Sequence, residues 1–147
     1  MILKKIDVFI SHAWREHDQW LEIVKTIDKM EYYTWRNYSV PWHDPALHPS
    51  RPLEYGIIET IYKTQISPSD VVILIVDLYE SKGSARWADK TIEFAKKFNK
   101  PLYGIRFKPD ISFQEPESQC IDVLHMSGEV ISNILNNHST SALFKYV

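Results

Sequence analysis

The sequence predicts an α/β fold, a three-layer sandwich around a mainly parallel central sheet, and three observations predict it. The first is the stretch Asp70 to Leu78, DVVILIVDL, an almost unbroken Val/Ile/Leu run bounded by Ser-Pro-Ser before it and Glu-Ser-Lys-Gly soon after. It is too short to cross a bilayer and reads as a strand covered on both faces. The second is a change to helical period from Ser84 to Phe98. There Trp87, Ala88, Thr91, Ile92, Phe94, Ala95 and Phe98 fall on one side, and Arg86, Asp89, Lys90, Glu93, Lys96 and Lys97 on the other. The third is the ending of that helix at Asn99 and Pro101, followed by a second apolar run, Leu102 to Phe107. Strand, helix and strand make a right-handed crossover that sets the two strands parallel in one sheet.

The remaining elements extend this unit. Ile6 to Ser11 is apolar except for Asp7 and reads as the first strand, adjacent to the Asp70 to Leu78 strand in the sheet interior. Trp20, Leu21, Ile23, Val24, Ile27 and Met30 recur at helical spacing, with Asp18 as N-cap. Glu31 to Arg36 reads as a short strand. Trp42 to Pro52, which holds Pro45, Pro49 and Pro52, reads as a loop that borders the functional surface. Leu53, Ile57, Ile58, Ile61 and Tyr62 mark a second helix. Cys120 to Met126 is a last short strand, Ser127 caps a helix carrying Val130, Ile131, Ile134 and Leu135, and the tail after Asn136 is expected to fray.

Length and composition bound the function. The 147 residues read as one domain, 1–147, with an ordinary globular profile of 44% hydrophobic and 24% charged residues. Seventeen basic and 19 acidic side chains leave a net charge of -2, which supplies no bulk attraction to nucleic acid or to an anionic membrane, and neither partner is expected. Cys120 is the single cysteine, so neither an internal disulfide nor a Cys-rich zinc site can form. The start MILKKIDVFIS has too short an apolar run for a signal segment and carries Asp7 within it, which gives a cytoplasmic expectation.

In an open parallel sheet, ligands bind outside the carboxyl ends of the strands. That rule selects Ser11, His12 and Trp14 after the first strand, Asn37 to Asp44 after the second, Asp77 to Trp87 after the third and Arg106 after the fourth. Aromatic faces and hydroxyl or amide groups suit a nucleotide, but neither usual Gly-rich phosphate loop is present. Four segments then carry a resemblance: DVFISHAW, WRNYSVPWHDP, SDVVILIVDLY and SARWADKTIEFAKKFNKPLYGI. Together, in this order from Ile6 to Ile105, they resemble the TIR-like domains of bacteria and archaea, which include the signalling subunit of Thoeris-type antiphage defence.

The resemblance implies a flavodoxin-like fold and, for active members, hydrolysis of NAD at the nicotinamide-ribosyl bond. NAD is then substrate, not resident cofactor, and the ADP-ribose product is often cyclised as a messenger. It also implies association with other TIR-like domains or with an effector protein. Ser11, His12, Trp14, Asn37, Ser39 and Trp87 become the nucleotide-binding set, with Trp87 stacking.

One position departs from the pattern. Aligning Trp87, Ile92, Ala95, Lys100 and Pro101 with the family places Thr91 where a ribose-contacting glutamate stands in active relatives. Glu93 is the nearest carboxylate after it, but two residues further lie about 200° around a helix. Catalysis therefore rests on Glu93 or another group, or the chain is an impaired TIR-like interaction module. Plainer readings stand beside these. Glu93 and Lys97 make an i,i+4 surface pair, Trp87 fills core, His12 makes a backbone hydrogen bond, Asp77 bonds the next loop and Cys120 is a small core residue. His43, Asp44 and His48 in one loop lack a fourth ligand and are not read as a metal site.

Overall fold

A computed structural model describes residues 3–11, 17–39 and 55–141. Its elements are β1 (Lys4–Ile10), α1 (His17–Asp28), β2 (Tyr33–Asn37), α2 (Tyr55–Ile66), β3 (Val71–Ile75), a 3-10 turn (Val76–Glu80), α3 (Lys82–Lys97), β4 (Leu102–Arg106), α4 (Gln114–Ser118), β5 (Asp122–His125), α5 (Gly128–His138) and β6 (Thr140–Ser141). Five strands are parallel in the order β2-β1-β3-β4-β5, the flavodoxin-like order, and β6 adds antiparallel to β1. As expected, β1 and β3 are interior neighbours, paired from Val8↔Val71 to Ile10↔Ile73.

Period two on each strand divides the core. On β1, Phe9 reaches Tyr62 of α2, with ring centroids 5.5 Å apart. On β4, Tyr103 faces the other way and meets His138 of α5. Helix α1 packs on α5, and α2 packs on α3. The sheet is thus covered on both faces, which is why every residue of β3 is buried.

Asp7 is the polar exception on β1. Its side chain is 5% exposed and takes a bidentate bond from Arg36 on β2, Nε to Oδ1 at 2.7 Å and Nη2 to Oδ2 at 2.9 Å. The paired strands require this pairing, because Asp7 and Arg36 are register partners. On β4, Gly104 sits where a Cβ would lie 3.1 Å from Val123 Cγ2, 3.2 Å from Val76 Cγ2 and 3.4 Å from Cys120 Sγ.

Several boundaries differ from the sequence expectation. The third strand ends at Ile75, and Val76 to Leu78, equally buried, turn into the 3-10 segment. The cause is Asp77, whose carboxylate accepts from Phe107 N at 2.9 Å and Lys108 N at 3.1 Å and bends the chain over the end of β4. Asp18 lies in the first turn of α1 and not at its cap. Ile57 is 58% exposed and lies off the buried stripe of α2, which runs through Tyr62 and Ile66. The chain after Asn136 continues as helix to His138 and then pairs as β6, because β3 joins β1 only at Val8 and leaves the edge of Lys4 and Lys5 for another strand. Ser127 does cap α5, accepting from Val130 N at 3.1 Å.

Candidate functional site

Parallel strands bring all five carboxyl ends to one edge. The connection from β1 leaves towards α1 and that from β3 towards α3 on the opposite face, so the crevice of a flavodoxin-like sheet opens between the ends of β1 and β3. Ser11 lies there and Ser39 lies on the other side of the end of β1, towards β2, and both are tied into the scaffold. Ser11 N donates to Ile73 O at 2.7 Å, and Ser11 Oγ accepts from Ile75 N at 2.6 Å. These two bonds continue the β1–β3 ladder past the end of β1. Ser39 Oγ accepts from Ile10 N at 3.3 Å, while Ser39 N donates to Asn37 Oδ1 at 3.0 Å, a local turn bond that fixes the chain leaving β2. Ser11 is fully buried and Ser39 is 8% exposed, whereas Asn37 is exposed. Asn37 and Ser39 are thus brought together at the end of β2, while Ser11 stands across β1 against β3, and both serine oxygens serve the strand ends. His12, Trp14 and the Trp42 to Pro52 loop, with His43, Asp44 and His48, lie outside the described residues.

Trp87 is 4% exposed and stacks on Tyr62, with centroids 5.8 Å apart and planes 17° from parallel. Tyr62 in turn meets Phe9, so Trp87 belongs to an aromatic row running from α3 to β1. The Arg86 guanidinium lies 5.6 Å from the Trp87 ring centroid. One turn further, Thr91 is fully buried and its Oγ1 donates to Trp87 O at 3.1 Å. Glu93 points outwards, with its side chain 57% exposed, and pairs with Lys90 at 3.2 Å. Lys90 also bridges to Glu59 of α2 at 2.5 Å. The surface pair expected between Glu93 and Lys97 is therefore replaced by a Glu59–Lys90–Glu93 group that spans α2 and α3.

On the β3–β4 side, a set of polar contacts fixes the edge. Besides the Asp77 bonds, Tyr79 Oη donates to Asp89 Oδ1 at 2.6 Å, and Lys108 Nζ reaches Glu80 at 2.8 Å. Burial, reinforced by the Asp89 carboxylate, holds the Tyr79 phenol far above the ordinary range, so it remains a donor. Arg106 pairs with Glu117 of α4. Burial opposes ionisation of Glu117, but the bonds from Arg106 and from Phe113 N outweigh it and leave the carboxyl below its ordinary value. Asp77 and Arg106 were selected by the strand-end rule. The same rule covers Tyr79 and Glu80 but not their partners Asp89 and Lys108, since each pair joins residues ten or more apart with no local motif.

No cluster of three or more His, Cys, Asp or Glu able to hold a metal ion occurs among the described residues, and no described helix is long and apolar enough to cross a membrane. No protein-family model matches the chain, and no curated protein matches it.

Proposed function

We propose that this chain is a TIR-like signalling domain that takes NAD or a related nucleotide at the carboxyl edge of its sheet. The observation that supports this reading is the strand order, whose connections diverge between the ends of β1 and β3, with Ser11 beneath that point, and the exposed Asn37 and the buried Ser39 beside it at the end of β2. In the enzymatic form of the reading, the protein cleaves the nicotinamide-ribosyl bond and releases an ADP-ribose or cyclised messenger in antiphage defence. The buried serines support binding only indirectly, by fixing the ends of β1 and β2 so that the exposed Asn37 amide is held in place and loses little freedom when a ribose arrives.

A second reading is favoured by α3. Thr91 is sealed against Trp87 O and Glu93 faces away from the buried side of the helix, so neither presents a carboxylate from the family position. In this reading the domain is catalytically impaired and acts by associating with other TIR-like domains or with an effector protein.

Incubation of the purified protein with NAD, with chromatography for nicotinamide and ADP-ribose species, tests the pair of readings together with calorimetric titration of NAD. Turnover supports the enzyme. Saturable binding without turnover supports the impaired module. Absence of both would remove the nucleotide from the proposal.

A further inference from the structure

β1 has one side fully occupied and the other shared. β2 pairs with it from Lys4 to Val8, whereas β3 joins only from Val8 onwards. The opening beside Lys4 and Lys5 is filled by β6, with Lys4↔Ser141 and Lys5↔Thr140 in antiparallel register. Two residues make a weak strand, so what fixes it is the end of α5 just before it.

That end is tied at two places. Asn136 Oδ1 accepts from Lys4 Nζ at 3.1 Å and from the Tyr33 hydroxyl. Two residues on, His138 Nε2 lies 2.7 Å from Tyr103 Oη, with the rings edge to face and centroids 5.4 Å apart. Ser139 N then donates to Leu135 O at 2.8 Å, and Ser139 Oγ is buried with no hydrogen-bond partner among the described residues. The turn from α5 into β6 is therefore packed under the sheet but incompletely bonded, and His138 is its side-chain anchor to β4.

We infer that β6 is a pH-sensitive strap, closed over the edge of β1 while an uncharged His138 packs on Tyr103 and released when His138 gains a proton. The groups that bear on the ring are Tyr103 from β4 and the Asp70 carboxylate from the turn into β3, with Lys4 and Tyr33 gathered on Asn136 one half-turn earlier. Burial disfavours the charged ring and outweighs the attraction of Asp70, so His138 titrates below its ordinary value. The sign follows. The closed state binds fewer protons than the open state, so the strap is secure above the ordinary histidine value of about 6.5 and loosens as pH falls through the lowered one. Release uncovers the backbone of Lys4 and Lys5 in the centre of the sheet, a position that accepts an antiparallel strand.

Hydrogen exchange followed by mass spectrometry, corrected for the intrinsic pH dependence of exchange, tests this at pH about 7.5 and about 5. The segments covering Lys4–Lys5 and Thr140–Ser141 should lose protection at the lower pH while β3 keeps its own. In His138→Gln the same segments should be insensitive to pH, whether held or open. The NMR titration of the His138 ring in the unaltered protein should have its midpoint at the pH where protection is lost. Protection in the unaltered protein that does not change with pH, a dependence that survives in His138→Gln, or a ring midpoint that misses the opening would each overturn the inference.

Discussion

Thr91 and Glu93 stand two residues apart on α3 and point in opposed directions, one bonded to Trp87 O within the core and the other paired with Lys90 at the surface. The consequence for substitution is asymmetric. Glu93→Gln should change the melting temperature little, since an exposed pair contributes less than about 1 kcal/mol, and should leave any NAD turnover near its starting level. On the proposed TIR-like reading, Thr91→Glu supplies the carboxylate expected at this position, but it forces that group into a fully buried slot and should cost about 3 kcal/mol by urea unfolding. In the fraction that remains folded it should raise NAD cleavage. Turnover abolished by Glu93→Gln would return the catalytic role to that residue.

Arg36 neutralises a carboxylate whose side chain is 5% exposed. Arg36→Met leaves Asp7 charged and buried without its fork, so a loss of about 3 kcal/mol is expected at neutral pH. Arg36→Lys should recover only part of it, because an ammonium cannot make the paired Nε and Nη2 bonds. Equal stability for the two variants in chemical denaturation would contradict this account.

Gly104 is required by space, since its backbone conformation is that of an ordinary strand. Adding one methyl group presses on Val123 and Val76, and Gly104→Ala should destabilise by about 1–2 kcal/mol, with Gly104→Val worse. Combining Gly104→Ala with Val123→Ala should cost less than the sum of the two single changes, as expected for groups that share one volume.

Cys120 lies beside that volume, and burial, with a smaller contribution from Glu117, pushes its thiol up to about 11. At pH about 8 the native protein should therefore react with a thiol reagent on the order of a hundredfold more slowly than the unfolded chain. Comparable rates in the two states would show that the thiol is reachable and ionised.

Much of the architecture was legible because the strands are apolar runs and α3 has one clean face: Trp87, Ala88, Thr91, Phe94 and Ala95 are all buried. What escaped reading has identifiable causes. Val76 to Leu78 are as buried as β3, and burial alone does not distinguish strand from 3-10 turn; the Asp77 bonds to a segment some 30 residues away decide it. Thr140 and Ser141 carry no strand signal, and their pairing follows from where β3 happens to join β1. At the site, the strand-end rule reached Ser11, Asn37 and Ser39, but it could not foresee that the serine oxygens would accept from Ile75 N and Ile10 N. By sequence Trp87 fits either a pocket wall or the core, and its row with Tyr62 and Phe9 gives it a packing role.

The order in which β1 gains its neighbours also bears on biosynthesis. A chain emerging from its amino end offers β1 first to β2, then to β3, and only after β4, β5 and α5 to β6. Throughout that interval the most apolar strand of the amino-terminal half carries an unfilled backbone edge at Lys4 and Lys5. The charges of the two lysines at that edge discourage the nascent strand from pairing with that of a neighbouring chain before β6 arrives.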